Sequence, residues 1–160
     1  MRDRQVEFER VVLPHTRSLL RVARRLTTDS AAAEDLVQDT LLNAWRGFSQ
    51  FRPGTNARAW LFRILFNNFH ARGRRPGKGS VVVPLDARLS VVNPVSEEAL
   101  AAVGALDELP LEQKSVLLLG IVEGLTCREI ADVLSLPMGT VMSRLSRGRE
   151  AVRNRLGVTA

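Results

Sequence analysis

The stretch TCREIADVLSLPMGTVMSRLSRGRE, residues 126–150, decides how the rest of the chain is read. Thr126 and Glu129 have the spacing of a capping box, in which each side chain satisfies an orphan amide at a helix start. Ile130, Ala131 and Leu134 then give that helix one buried stripe. Ser135-Leu136-Pro137 interrupts it, because proline has no amide to donate and turns the residue before it away from helical angles. A second helix follows with Val141 and Leu145 inward. Two short helices about a tight turn, with small Ala131 where they approach, form a helix-turn-helix. The second helix leaves Met142, Ser143, Ser146 and Arg147 outward, flanked by Arg144 and Arg149. An apolar back and a basic, hydrogen-bonding front fit a major groove. Paired amphipathic helices are common without DNA; box, small residue, turn proline and arginine-rich face together are rarer.

Working outward, 160 residues suffice for one domain or two small ones, and a hydrophobic content of 45% permits real cores. The net charge of +6 favours a polyanionic partner. Arginine richness alone carries little weight, because Lys78 and Lys114 are the only lysines and base composition of a genome produces the same bias. Charge is segregated. Asp29, Glu34, Asp35 and Asp39 fall in a segment without a base, and residues 52–78 hold seven bases and no acid. Residues 97–112 hold five acids and no base, ahead of five arginines against one glutamate over 144–155. Two acidic-then-basic blocks suggest two modules, each touching a polyanion and something else.

Cys127 is the single cysteine, which excludes an internal disulfide and a cysteine-based zinc site; with His15 and His70 the only histidines, no metal cluster is expected. Cys127 reads as a half-buried filler rather than a reactive thiol. No signal peptide and no membrane-length apolar run is read, so a cytoplasmic location is expected. No phosphate-cradling glycine loop, nucleophile elbow or zinc-protease motif occurs. The acids at 34, 35 and 39 lack the second cluster that nuclease chemistry on magnesium requires. The expectation is a protein that is not an enzyme and carries no cofactor.

Apolar positions from residue 4 to 26 (Val11, Val12, Leu19, Leu20, Val22, Ala23, Leu26) predict helix, with a kink or late start at Pro14. Asp29 or Ser30 caps a helix over 31–45, with Leu36, Val37, Leu41, Leu42 and Trp45 as its apolar stripe. Its other face shows Glu34, Asp35, Gln38 and Asp39, a pattern that most often meets only solvent. FSQFRPGTN (48–56) is a loop by its Pro-Gly pair. Residues 57–72 predict a helix on which Trp60, Leu61, Ile64, Leu65 and Phe69 pack. Arg58, Arg63, Asn67, Asn68, His70 and Arg72 lie elsewhere on it. Aromatics interleaved with arginine and asparagine suit a core with a solvated face and a single-strand binder equally well. Glycines and prolines over 73–96 mark a linker. Helices resume at 97–106 and at 111–122, where Val116-Leu117-Leu118-Leu119 forms the heart of a second core and Gly124 ends the element. Apart from Val81–Val83 no period-two pattern appears. The fold class is all-α: two small helical domains, 1–73 and 97–160, joined by a flexible linker over 74–96.

AAEDLVQDTLLNAWRGF (32–48), NARAWLFRIL (56–65) and GLTCREIADVLSLPMGTVMSRLSRGRE (124–150) resemble regions 2 and 4 of bacterial sigma-70 factors, in the short extracytoplasmic-function (ECF) group. The resemblance spans nearly the whole chain outside the linker. It implies a transcription initiation factor that directs core RNA polymerase to promoters. It further implies that Asp35, Gln38, Asp39 and Trp45, with Leu42 and Arg46 adjacent, dock on the β′ clamp helices, the β subunit being a further contact. Asn56, Arg58, Trp60, Arg63 and Asn67 fall on positions that melt the minus-10 element and trap a flipped base, with His70 and Arg72 near the backbone. Met142, Ser143, Ser146 and Arg147 fall where minus-35 bases are read, and Thr140, Arg144 and Arg149 where phosphates are met. An anti-sigma partner and promoter DNA are implied in the same way.

Three positions depart from the family pattern: Met142 stands where a basic residue is frequent, Ser135 where a turn glycine is, Cys127 where an aromatic is. The linker, about 24 residues, reaches at most about 80 Å, while promoter elements one and a half turns apart need about 50 Å. Two weak DNA modules on one tether gain from effective concentration. Melting costs a few kcal/mol per unstacked step, so the free factor is expected to bind promoters poorly. The competing expectation is a stand-alone helix-turn-helix regulator, which needs only 109–156 and leaves the first two motifs unexplained.

Overall fold

The computed structural model describes residues 1–73 and 97–158, and the described residues are helical with short turns. The expected linker over 74–96, with the strand-like Val81–Val83, lies outside the described residues. The chain divides into two compact units, taken one at a time.

In the first unit α1 (Arg2–Val12) runs into a 3-10 turn (Leu13–His15) and then α2 (Thr16–Leu26). Pro14 sits in the first positions of that turn, where its missing amide costs nothing, so the expected interruption is a kink between two helices. Asp29 caps α3 (Ser30–Gly47), its Oδ1 accepting from the Ala32 amide at 2.7 Å. A 3-10 turn (Phe48–Gln50) and a loop lead to α4 (Ala57–Gly73). Helices α2 and α4 both pack on α3.

The buried row of α3 is Ala33, Leu36, Val37, Thr40 and Ala44, not the broad stripe expected: Leu42 is 46% exposed, while Leu41 and Trp45 are half-buried. Small alanines let the neighbouring helices approach this row. Buried Thr40 is tolerated because its hydroxyl donates to the Leu36 carbonyl at 2.7 Å. On α4 the core takes two adjacent rows, Leu61 with Leu65 and Phe62 with Phe66, all fully buried. The expected packers Trp60, Ile64 and Phe69 flank them, half-buried. Each buried phenylalanine contributes about 1.5–3 kcal/mol relative to exposure, so Phe62 and Phe66 anchor this unit.

The second unit comprises α5 (Glu97–Asp107), α6 (Leu111–Leu117), a π-helical turn (Leu118–Val122), most of α7 (Cys127–Leu134) and α8 (Met138–Leu156). The 111–122 segment is not one α-helix. Its last turn widens so that the Glu123 amide reaches the Leu118 carbonyl at 3.0 Å. Gly124, at φ +69°, closes it with the Leu125 amide on the Leu119 carbonyl, a conformation glycine adopts without penalty. Val116, Leu117, Leu118 and Leu119 are buried as expected.

The capping box forms: the Glu129 amide donates to Thr126 Oγ1 at 3.2 Å and the Thr126 amide to Glu129 Oε1 at 3.4 Å. Ile130, Ala131 and Val133 are buried on α7, whereas Leu134 is half-buried. Ser135 makes the turn in the left-handed region, φ 54° and ψ 47°. On α8 the inner row is Val141, Leu145 and Gly148, packed on α6. Gly148 marks a contact too tight for a side chain: a Cβ there would lie 2.8 Å from Leu117 Cδ1.

Candidate nucleic-acid interface

Three surfaces carry the residues singled out in the sequence. The first is the outer face of α3. Asp35, Gln38, Asp39, Leu42 and Arg46 are all exposed, and spacings of three and four place them on one side of the helix. The stiff inner row behind them leaves an apolar leucine among polar groups, a composition suited to a protein partner. Trp45 stands apart. Its ring meets Phe8 edge-to-face at 5.1 Å, and the Arg4 guanidinium lies 4.8 Å above it while donating to the Trp45 carbonyl at 2.9 Å. The resemblance placed Trp45 with the other five; the fold half-buries it under α1, in keeping with its place on the apolar stripe.

Asp39 is held from α4: Arg72 Nη2 donates to its Oδ2 at 2.5 Å, and Arg72 Nη1 to the Ala32 carbonyl at 3.4 Å. Beside this pair Asn43 donates to Asn68 at 2.9 Å, and with Leu42 and Arg46 these groups line a cleft of about 240 Å³. The resemblance put Asp39 and Arg72 to different tasks; the fold makes them partners.

The second surface is the 51–56 loop with α4. Gly54 takes φ +85°. The Thr55 hydroxyl donates to the Arg52 carbonyl at 2.6 Å, and Asn56 caps α4 by accepting from the Ala59 amide at 3.1 Å. Trp60, Arg63, Asn67 and His70 follow at spacings of three and four on one side of α4, and the last three are exposed. Trp60 is half-buried against Phe51, with centroids 5.0 Å apart, and Phe48 at 6.5 Å. Arg58 and Arg72 leave that row. Arg58 is half-buried and its positive field reaches His15. The His15 pKa is lowered below its ordinary 6.5, first by burial and then by the Arg58 charge. His70 lies against Phe69 and Phe66, at 5.6 and 6.1 Å.

The third surface is the outer face of α8. Met142, Ser143, Ser146, Arg147 and Arg149 are exposed, with Met142 at 56%. Thr140 and Arg144 are half-buried, and Arg144 lies 3.8 Å from Glu112, an open pair of little energetic worth. The surface is therefore basic and hydroxyl-bearing with one apolar position.

Sequence reasoning missed Phe8, Phe48 and Phe51 as a group, and Gly148 as a packing position. The available signal for the first was the F-x-x-F spacing at 48 and 51, hard against the Pro-Gly loop. Among the described residues no three His, Cys, Asp or Glu side chains gather as for a metal, and no helix is long and apolar enough to cross a membrane.

The family model for sigma-70 region 2 matches residues 11–77, and that for sigma-70 region 4 matches residues 100–152. The ECF RNA polymerase sigma factor SigM of Mycobacterium tuberculosis is 34% identical over 152 residues, 94% of this chain and 77% of the relative. The chain belongs to the sigma-70 family, in its ECF group. This ECF factor is also 34% identical over 158 residues to the ECF RNA polymerase sigma factor SigE of Mycolicibacterium smegmatis, covering 93% of the chain but 61% of that longer relative. Among solved structures it resembles the sigma factor RpoE of Bartonella quintana in complex with the anti-sigma factor NepR. The TM-score is 0.81 and the identity 30%, over 96% of this chain and 99% of that one.

Proposed function

We propose that this ECF factor binds core RNA polymerase and directs it to promoters by reading a minus-35 element with α8 and opening a minus-10 element with the 51–56 loop and α4. The observation that carries this is the order and exposure of the three surfaces within matched regions 2 and 4. An acidic-apolar face precedes an aromatic-basic one in the first unit, and a basic groove-sized helix closes the second. Asp35, Gln38, Asp39, Leu42 and Arg46 form the docking face toward the β′ clamp helices, with Trp45 supporting it from beneath. Asn56, Trp60, Arg63, Asn67 and His70 form the strand-facing row, with Arg58 beside it toward the same strand and Arg72, tied to Asp39, near the DNA backbone. Met142, Ser143, Ser146 and Arg147 meet base edges, while Thr140, Arg144 and Arg149 meet phosphates.

In this reading residues 1–73 and 97–160 are the two working domains and 74–96 the connection. The protein acts in the cytoplasm as a specificity factor rather than a catalyst. The RpoE likeness, in a complex with NepR, supports control by an anti-sigma factor.

Neither unit alone has the means to open DNA, since unstacking costs a few kcal/mol per step. Polymerase docking and base capture together offset it. Run-off transcription with purified core polymerase tests the proposal. Promoter-specific transcripts that need both core and this factor are expected. Tight duplex binding by the free protein with no such transcript would show a stand-alone regulator instead.

A further inference from the structure

We propose that α1 sets the conformation of the 51–56 loop through a relay of rings, with Phe8 and Phe51 as positioning residues for capture of an unstacked minus-10 base; this rests on the function proposed for that loop. Phe8 reaches across from α1 and meets Phe48 edge-to-face, centroids 5.2 Å apart at 88°, as it meets Trp45 at 5.1 Å and 84°. Phe48 lies parallel to Phe51 at 5.9 Å and 8°. Phe51 in turn lies 5.0 Å from Trp60 in the first turn of α4. The loop is thus gripped at both ends by rings of one cluster, Phe51 where it starts and Trp60 just past where it stops.

Between these grips the loop is closed on itself by Thr55 on the Arg52 carbonyl and by Asn56 on the Ala59 amide. Edge-to-face and stacked ring geometries are directional, so the orientation of Phe8 is passed to Phe48 and from there to Phe51. Phe48 is only 7% exposed, and Phe8 is one of the rings that cover it. Helix α1 has a second hold nearby: Arg4 spans the Trp45 ring and donates to the Trp45 carbonyl, in the last turn of α3, ahead of the 3-10 turn that leads into the loop.

Arg4 and Phe8 both precede residue 11, where the region 2 match begins. A pocket that selects a base by shape must be held to a fraction of an ångström, and ordering it in advance removes that cost from the capture step. The relay supplies this order without touching DNA.

The test uses holoenzyme assembled from core polymerase and the full chain, acting on duplex fragments randomised at both promoter elements, with transcripts sequenced. For Phe8→Leu, base preference at minus-10 is expected to fall about fivefold or more. Preference at minus-35 should stay within about twofold, a split that general loss of stability does not produce. Phe8→Tyr, which keeps the ring, should behave as the unaltered protein, and Phe51→Leu should match Phe8→Leu. If Phe8→Leu fails to fold, Arg4→Ala on the surface of the same helix decides, with a loss of about twofold or more in minus-10 preference and none in minus-35 preference. Unchanged minus-10 preference, or an equal fall at both elements, overturns the relay. A wild-type holoenzyme with no minus-10 preference overturns the loop's proposed function, and the relay with it.

Discussion

Replacing Gly148 by alanine puts one carbon into the tightest contact between α8 and α6. The new Cβ would lie 2.8 Å from Leu117 Cδ1, 3.1 Å from Cγ and 3.5 Å from Cδ2. Carbon atoms rest at about 3.5–4.0 Å, so the nearest pair is short by about an ångström. Leu117 is 1% exposed, so it yields only by pressing on its packed neighbours or by turning toward the cleft it lines with Ala102, Leu106 and Val152. Overpacking of this kind costs about 1–3 kcal/mol. Against it stands the better helix propensity of alanine, about 0.8–1 kcal/mol in a helix interior. The balance is a destabilisation of about 1 kcal/mol. Hydrogen exchange of the α6 and α8 amides in the full chain reads it locally.

The second arm reverses the sign. Leu117→Ala alone should cost about 2–5 kcal/mol, but it removes the atoms in the way. Adding Gly148→Ala to it should then recover about 0.5–1 kcal/mol through propensity and partial filling. If Gly148→Ala is neutral or stabilising in the original background, or destabilises equally with Leu117 gone, the two helices do not meet as closely as described. The reasoning would then fail.

Ser135 holds a left-handed conformation that costs an L-residue about 1–2 kcal/mol, so Ser135→Gly should raise the stability of the second unit by about 0.5–1 kcal/mol after glycine's larger unfolded entropy is deducted; local hydrogen exchange around α7 measures it. Arg147→Ala should weaken binding to a minus-35 duplex by about 1–3 kcal/mol and relax preference at one base pair if the guanidinium reads a base; a uniform loss across sequences would make it a phosphate contact. Asp39→Ala should lower core polymerase affinity about tenfold while leaving minus-35 preference unchanged, as competition binding would show. The fold lowers the His15 pKa below 6.5, so the unfolded chain takes up the proton first. Stability should therefore be full above about pH 6.5 and decline as pH falls toward the folded value. His15→Gln should flatten that segment of a stability-against-pH curve.

Where a side chain's role is fixed by its near neighbours, the sequence disclosed it. Thr126 and Glu129 specify their box within one turn, Asp29 its cap, and Gly124 its left-handed stop. Val141 and Leu145 needed only the helical period to be placed inside. Helix α4 defeats that kind of reasoning because apolar residues run round most of its girth, from Trp60–Phe62 through Ile64–Phe66 to Phe69. Periodicity cannot choose among rows that are all apolar; packing of α4 against α1, α2 and α3 chose Phe62 and Phe66 along with Leu61 and Leu65. The same holds at Leu118, where an unbroken apolar run conceals the change to a wider turn.

The candidate surfaces were legible as helix faces, since exposure follows from the rows that are buried. Pairings across long separations were not. Arg72 with Asp39, and Phe8 with Trp45, join helices whose spacing in the chain says nothing of who meets whom. Gly148 reads in sequence as a weak point in a helix, and only the approach of Leu117 gives it a purpose.

The ring cluster has a practical corollary. Trp45 and Trp60 are the only indoles in the chain, which also lacks tyrosine, and both belong to that cluster. Ultraviolet emission of the unlabelled protein therefore reports on one end alone. Titration with polymerase or unpaired strand should change its colour and intensity, while closed duplex offered to α8 should leave it dark to the event. The molecule carries a built-in lamp for strand opening and none for duplex recognition, so the two steps can be timed separately without attaching a dye.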